Sequence, residues 1–159
     1  MKRSWLLLLA IGPMVAWLGC AAPNEGVRVM DRPVAGRAPV YSPENSLVDT
    51  YWRLVELNGK PAPLGSGGKE PHLVLQPDKP IARGFGGCNR FSAGYELDGE
   101  RLGFHRIVAT RMACAEGMDL EAEYLAALAR VATWSRDGER LILRDADGTV
   151  LARFTLRPL

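Results

Sequence analysis

The chain has 159 residues and carries 20 Lys and Arg against 18 Asp and Glu. Two of the positive charges, Lys2 and Arg3, stand at the extreme N-terminus, and without them the balance is neutral. A neutral, mixed-sign surface argues against nucleic-acid binding, which needs a basic footprint, and against electrostatic attachment to anionic lipid.

In chain order, Lys2 and Arg3 are followed by an uncharged, mostly apolar run over residues 4–19. The run is shorter than the roughly 20 residues a membrane-spanning helix needs, and Gly12-Pro13 interrupts it. A charged start, an apolar middle and a small-residue end describe a secretory signal. The string Trp17-Leu18-Gly19-Cys20-Ala21 resembles the lipobox of bacterial lipoproteins. In that family the cysteine thiol is diacylated, the peptide before it is removed, and the new amino terminus is acylated. Gly19 fits the pattern, while Trp17 and Leu18 depart from the residues usual there. The resemblance implies a signal peptide over residues 1–19 and lipidation at Cys20. Ala21 stands where inner-membrane retention calls for Asp, which implies outer-membrane sorting in a Gram-negative cell, facing the periplasm. Two or more acyl chains anchor stably where one binds only marginally. The competing readings are ordinary cleavage after Ala22, which Pro23 disfavours, and an uncleaved anchor helix.

Residues 20–46 read as a lipid-anchored, flexible tether. Pro23, Pro33, Pro39 and Pro43 are spread along it with Gly26 and Gly36, its charges cancel, and no apolar period runs through it. Such a segment cannot offset its ordering entropy by burial. Alternatively, residues 27–30 pack on the domain as an extra strand. Residues 47–159 then have the length of one domain.

Within that domain, residues 50–57 are rich in strand formers and end at the turn pair Asn58-Gly59. Residues 60–71 hold three prolines and three glycines and read as a loop. Strands follow over residues 72–76, 81–86 (glycine-rich), 91–97 and 101–108, the last two joined at Asp98-Gly99. Residues 131–136, 139–145 and 149–156 form a meander punctuated by Asp137-Gly138 and Asp147-Gly148. In its last strand Val150, Ala152, Phe154 and Leu156 share one face, and Leu141 and Leu143 repeat the pattern one strand earlier.

One segment breaks the two-residue period. Residues 119–131 are rich in helix formers, with Leu120, Tyr124, Leu128 and Val131 on one stripe widened by Leu125. Asp119, Glu121 and Glu123 crowd its first turns and Arg130 closes it, as the helix dipole favours. The predicted fold class is α+β, mainly antiparallel β: a curled or barrel-like sheet with one amphipathic helix packed on it.

Three ordered strings now carry a resemblance: Gly86-Gly87-Cys88-Asn89-Arg90-Phe91-Ser92-Ala93-Gly94-Tyr95, then Thr110-Arg111-Met112-Ala113-Cys114, then Glu123-Tyr124-Leu125-Ala126-Ala127-Leu128. With Trp52-Arg53-Leu54 and Leu141-Ile142-Leu143-Arg144-Asp145 they resemble the META domain family, to which the HslJ-like heat-shock lipoproteins belong. Ala93 is a mild departure, since glycine usually follows the serine. The resemblance covers nearly the whole of 47–159. It implies a protein of the bacterial envelope, associated with stress, and it brings no catalytic residues with it. Its fold is similar to that of pilotin lipoproteins, which bind hydrophobic peptide or lipid tails.

In an oxidising periplasm the two cysteines left after Cys20 is lipidated, Cys88 and Cys114, should pair. Closing that segment would restrict the unfolded chain by roughly 3.5 kcal/mol. Two separate buried thiols are the alternative. His72 and His105 lie at strand positions without ligand spacing, so neither a metal nor a cofactor site is expected. The glycines at 84, 86 and 87 lack the third glycine of a dinucleotide fingerprint and precede a strand, and so read as a tight turn or bulge. Glu116, Asp119, Glu121 and Glu123 have a sufficient dipole explanation, and Ser92 has no nucleophile context.

No enzyme is expected. Two functional classes remain: an envelope lipoprotein that binds a protein or supports outer-membrane integrity under stress, and a pilotin-like or carrier module. The second would hold a lipid or hydrophobic peptide tail in an apolar pocket between the sheet and Leu120, Tyr124 and Leu128. Inhibition of an envelope hydrolase is a third possibility.

Overall fold

Tyr51–Leu57 (β1) shows how the sequence sets its own faces. Trp52 and Leu54 point inward and are buried, as strict alternation requires. A bulge between Leu54 and Glu56 then shifts the phase, so Leu57 rather than Glu56 enters the core. The structure is a computed structural model that describes residues 46–157. The signal peptide expected over residues 1–19, Cys20 and the expected tether as far as residue 45 lie outside the described residues.

Asn58 and Gly59 both take positive φ (49° and 78°), and this two-residue turn folds Lys60–Pro61 (β2) back on the end of β1. The loop expected over 60–71 therefore contains a short strand, followed by one 3-10 turn at Ser66–Gly68. The chain continues through β3 (His72–Leu75), β4 (Ile81–Phe85), β5 (Arg90–Asp98) and β6 (Arg101–Ala109). It then enters α1 (Met118–Leu128) and finishes in β7 (Thr133–Asp137), β8 (Arg140–Arg144) and β9 (Val150–Arg157).

Among the described residues these nine strands form one antiparallel sheet. Its order is β2-β1-β3-β4-β5-β6-β7-β8-β9, and β9 pairs back with β1. β2 and β3 share one edge of β1, so the sheet closes into a ring, in keeping with the expected curled or barrel-like sheet. The thinnest joint is β6 to β7, with the single register pair Arg101↔Thr133. Backbone bonds from Leu102 to Ala132 (3.1 Å) and from Trp134 to Glu100 (3.0 Å) flank it. Trp52 also fixes where the domain begins: its indole N–H donates to the Leu47 carbonyl at 2.9 Å, and Leu47 is itself buried.

The helix is shorter than the stripe over 119–131 suggests. It ends at Leu128, and the chain then tightens through bonds from Arg130 to Ala127 and from Val131 to Leu128. It packs against the neighbouring strands β1 and β9 and against β6 on the far side of the ring, and so closes over the interior. Tyr124 meets Phe91 edge-on at 5.6 Å and Phe154 at 6.1 Å.

Arg130 does more than complement a dipole. Its guanidinium bonds Asp145 at 2.7 Å, tying the end of the helix to the β8–β9 turn. The other Asp145 oxygen accepts the N–H groups of Asp147 (3.1 Å) and Thr149 (2.9 Å). Burial pushes the Asp145 carboxyl up, but the Thr149, Arg130 and Asp147 bonds outweigh it and hold it below the usual range. In β9, Ala152 and Phe154 are buried as alternation requires. Leu151 is buried too, beside the bulge between Leu143 and Arg144.

Candidate functional site

β4 ends at Phe85, and the chain turns through Gly86-Gly87-Cys88-Asn89 into β5. A side chain at Gly86 would run into Glu121, 2.7 Å from its Cγ. Gly87 has φ +134° and is wedged between two other glycines. A Cβ on Gly65 or Gly117 would fall 2.2 or 2.3 Å from its carbonyl oxygen. Three segments distant in sequence thus meet at backbone-to-backbone distance.

Cys88 and Cys114 form a disulfide with Cα atoms 5.8 Å apart, which joins this turn to the segment leading into the helix. Asn89, also buried, makes the same connection by hydrogen bonds. Its Oδ1 accepts from the Thr110 hydroxyl (2.9 Å) and the Met112 N–H (2.8 Å), and its Nδ2 donates to the Met112 carbonyl (3.2 Å). The helix adds Glu121. One of its oxygens accepts the backbone N–H groups of Asn89 and of Cys88 (3.3 Å), and the other accepts from Asn89 Nδ2 (3.0 Å).

Beside this junction lies a recess of about 530 Å³, lined by Tyr51, Lys69, Glu70, His72, Phe85, Cys88, Arg90, Thr110 and Met112. Phe85 and Cys88 are almost fully buried whereas Met112 is 61% exposed, so the former make its base and the latter its edge. Tyr51 stacks on His72 with ring centroids 4.5 Å apart. Lys69 Nζ stands 6.0 Å over the Phe85 ring.

The polar groups around the recess are largely engaged. Glu70 is bonded by Arg53 (3.4 Å) and Arg157 (3.2 Å). His72 Nδ1 lies 3.1 Å from the Glu70 carbonyl, an acceptor, so that nitrogen carries the proton. Burial lowers the His72 pKa more than the Glu70 carbonyl raises it, and Arg90 lowers it further, so the ring is neutral at pH 7. Burial and the neighbouring Glu70 likewise push the Tyr51 hydroxyl up. A second hollow, of about 610 Å³, is charged instead, with Arg53, Arg140, Asp137 and the Glu56–Arg153 pair (3.1 Å) around it.

The signature of the META domain matches residues 45–158, spanning the turn, the disulfide, the helix and every strand. This chain belongs to the META domain family. Two solved structures are similar to it. A protein from Burkholderia xenovorans, determined by NMR, is 29% identical, with a TM-score of 0.58 over 71% of this chain and 85% of that one. A second protein, also determined by NMR, is 26% identical, with a TM-score of 0.52 over 67% of this chain and 88% of that one. Nothing among curated proteins matches the chain.

In this META domain the residues singled out from sequence are widely distributed. Tyr124 and Leu128 are fully buried and fill the space between helix and sheet where an apolar pocket was expected. Leu120 is half-buried and lines only a small hollow of about 180 Å³ with Glu123 and the β2 region. The physical reason is size: an aromatic ring in the middle of the stripe occupies the room that a ligand would need. The apolar recess opens instead at Tyr51, Phe85 and Met112, which no periodicity marks.

The two histidines are apart. His72 is in the recess, whereas His105, on β6, has its ring over Gly94. Ser92 sits between Arg83 and Val108 on neighbouring strands. Asp119 and Glu123 are exposed on the helix, while Glu121 alone of that group reaches the turn.

The buried Tyr124 hydroxyl has no hydrogen-bond partner among the described residues, and burial pushes its ionisation well above the usual range. Replacing Tyr124 by Phe removes an unpaired polar group and keeps the ring. Stability should therefore stay level or rise by about 1 kcal/mol. A urea titration reads the change, and a clear loss would show that the hydroxyl has a partner in solution.

Proposed function

We propose that this META-domain protein is a non-enzymatic binding module of the bacterial envelope. Lipid on Cys20 holds it at the periplasmic face of the outer membrane, and its recess receives an apolar group of its ligand. The observation that carries the reading is the recess itself. It has an apolar base of Phe85 and Cys88, it is half-open, and its volume lies in the range of small-ligand sites. Binding rather than catalysis is supported by how its polar groups are occupied, with Glu70 held by two arginines and His72 bonded to a backbone carbonyl. The anchor is supported by the lipobox-like string ending at Cys20.

Native mass spectrometry of the full chain extracted from membranes tests the recess. The wild type should carry a bound apolar ligand and Met112→Glu, changed only at the exposed edge, should not. Equal occupancy in both, or none in the wild type, would refute the reading. Lipid labelling tests the anchor separately: Cys20→Ala should incorporate no label, and incorporation equal to wild type would exclude lipidation there.

A further inference from the structure

We infer that the recess selects a single-chain amphiphile with a carboxylate head, and that Lys69 and Arg90 are the residues that recognise its charge. The inference rests on the reading of the recess as a binding site.

Charge is the first argument. Lys69 and Arg90 both line the recess, and among the described residues neither forms an ion pair. The one carboxylate in the lining, Glu70, is compensated by Arg53 and Arg157, and His72 is neutral at pH 7. The rim therefore carries uncompensated positive charge beside an apolar base of Tyr51, Phe85 and Cys88. An apolar body with an anionic end complements both parts, and charge complementarity of this kind governs selectivity more than raw affinity.

Size and donor chemistry narrow the class. A volume of about 530 Å³ suits one chain rather than two. Phosphate groups favour concave nests of backbone N–H donors. Here the turn's N–H groups, those of Cys88 and Asn89, already donate to Glu121. What the recess offers is one ammonium and one guanidinium. The guanidinium fork pairs in bidentate fashion with a carboxylate and with a phosphate alike, so the engagement of the turn's N–H groups is what favours the carboxylate.

The test uses the full chain, reconstituted in phosphatidylcholine nanodiscs with ¹³C-methyl methionine and titrated with octanoate. Met112, at the recess edge, is the reporter. Met118, also exposed but outside the lining, is the internal control for bilayer partitioning and for folding. Octanoate should shift the Met112 methyl saturably and leave Met118 in place. Lys69→Gln with Arg90→Gln should weaken that binding by about tenfold or more, and Lys69→Arg with Arg90→Lys should keep most of it. Octyltrimethylammonium, with the same chain and the opposite charge, should bind at least about tenfold more weakly than octanoate.

Equal binding of octanoate and octyltrimethylammonium would overturn the charge selection while leaving the apolar recess standing. Tighter binding of octyl phosphate than of octanoate would overturn the carboxylate assignment. No saturable Met112 shift with any of the three would overturn the inference and the recess reading together.

Discussion

Replacing Glu121 by alanine should lower the unfolding free energy by about 3 kcal/mol, far more than the same change at Asp119 or Glu123. All three lie in the first turns of α1 and carry the same charge, so a dipole effect alone would cost each of them under about 1 kcal/mol. Glu121 differs in what it touches. Its carboxylate accepts the backbone N–H groups of Cys88 and Asn89, and both of those residues are buried. Alanine would leave these donors without a partner, at about 1–3 kcal/mol each, and would strip Asn89 Nδ2 of one acceptor. Urea titrations of the three single variants decide it. The Glu121→Ala midpoint should fall well below the others at an unchanged slope. If Glu121→Ala unfolds alongside Glu123→Ala, the turn does not depend on that carboxylate.

Opening the Cys88–Cys114 disulfide should cost about 3.5 kcal/mol, by a different route. The bond closes a sequence separation of 26 residues, and its main effect is to restrict the unfolded chain. Folded contacts should persist in the reduced protein, because Asn89 bonds Thr110 and Met112 across the same junction without it. The double variant Cys88→Ala/Cys114→Ala should therefore keep the wild-type amide dispersion while its urea midpoint falls. Its slope should rise as well, since a less restricted unfolded chain exposes more surface. That rise separates the disulfide from Glu121. A collapsed spectrum would instead mean that the covalent bond holds the folded turn together.

Much of this architecture is legible in the sequence because its signals are local. Asn58-Gly59, Asp98-Gly99 and Asp137-Gly138 each need left-handed backbone at the glycine. The first dipeptide forms the turn itself, while Asp98 and Asp137 are the last paired strand residues and their turns are Gly99-Glu100 and Gly138-Glu139. Leu141 and Leu143 alternate with charged or half-buried residues and are fully buried, as a two-residue period demands. The helix is likewise marked by composition and stripe, although its last turn is not. The chain leaves α1 at Leu128 because Val131 has to lead into β7 and Arg130 has to reach Asp145.

Other features are invisible along the chain. Glu121 looks like its neighbours Asp119 and Glu123 until the fold carries the turn at Cys88 against it. Gly65 and Gly117 look like ordinary loop residues, yet both press on the Gly87 carbonyl. The stripe of Leu120, Tyr124 and Leu128 marks a helix face correctly, but a stripe cannot tell a face that lines a cavity from one that fills it. Tyr124 fills it.

By itself, then, the sequence determined the sheet-forming segments, the single helix and the family, because each depends on neighbours a few residues apart or on ordered motifs. The tertiary structure alone decided the ring closure of β9 on β1, the Glu121 junction and the position of the apolar recess. The recess brings Tyr51, His72, Phe85, Arg90 and Met112 together from five separate stretches of chain. No local pattern encodes that meeting, since each of those side chains is placed by the register of a different strand or by the path of the loop that follows β6.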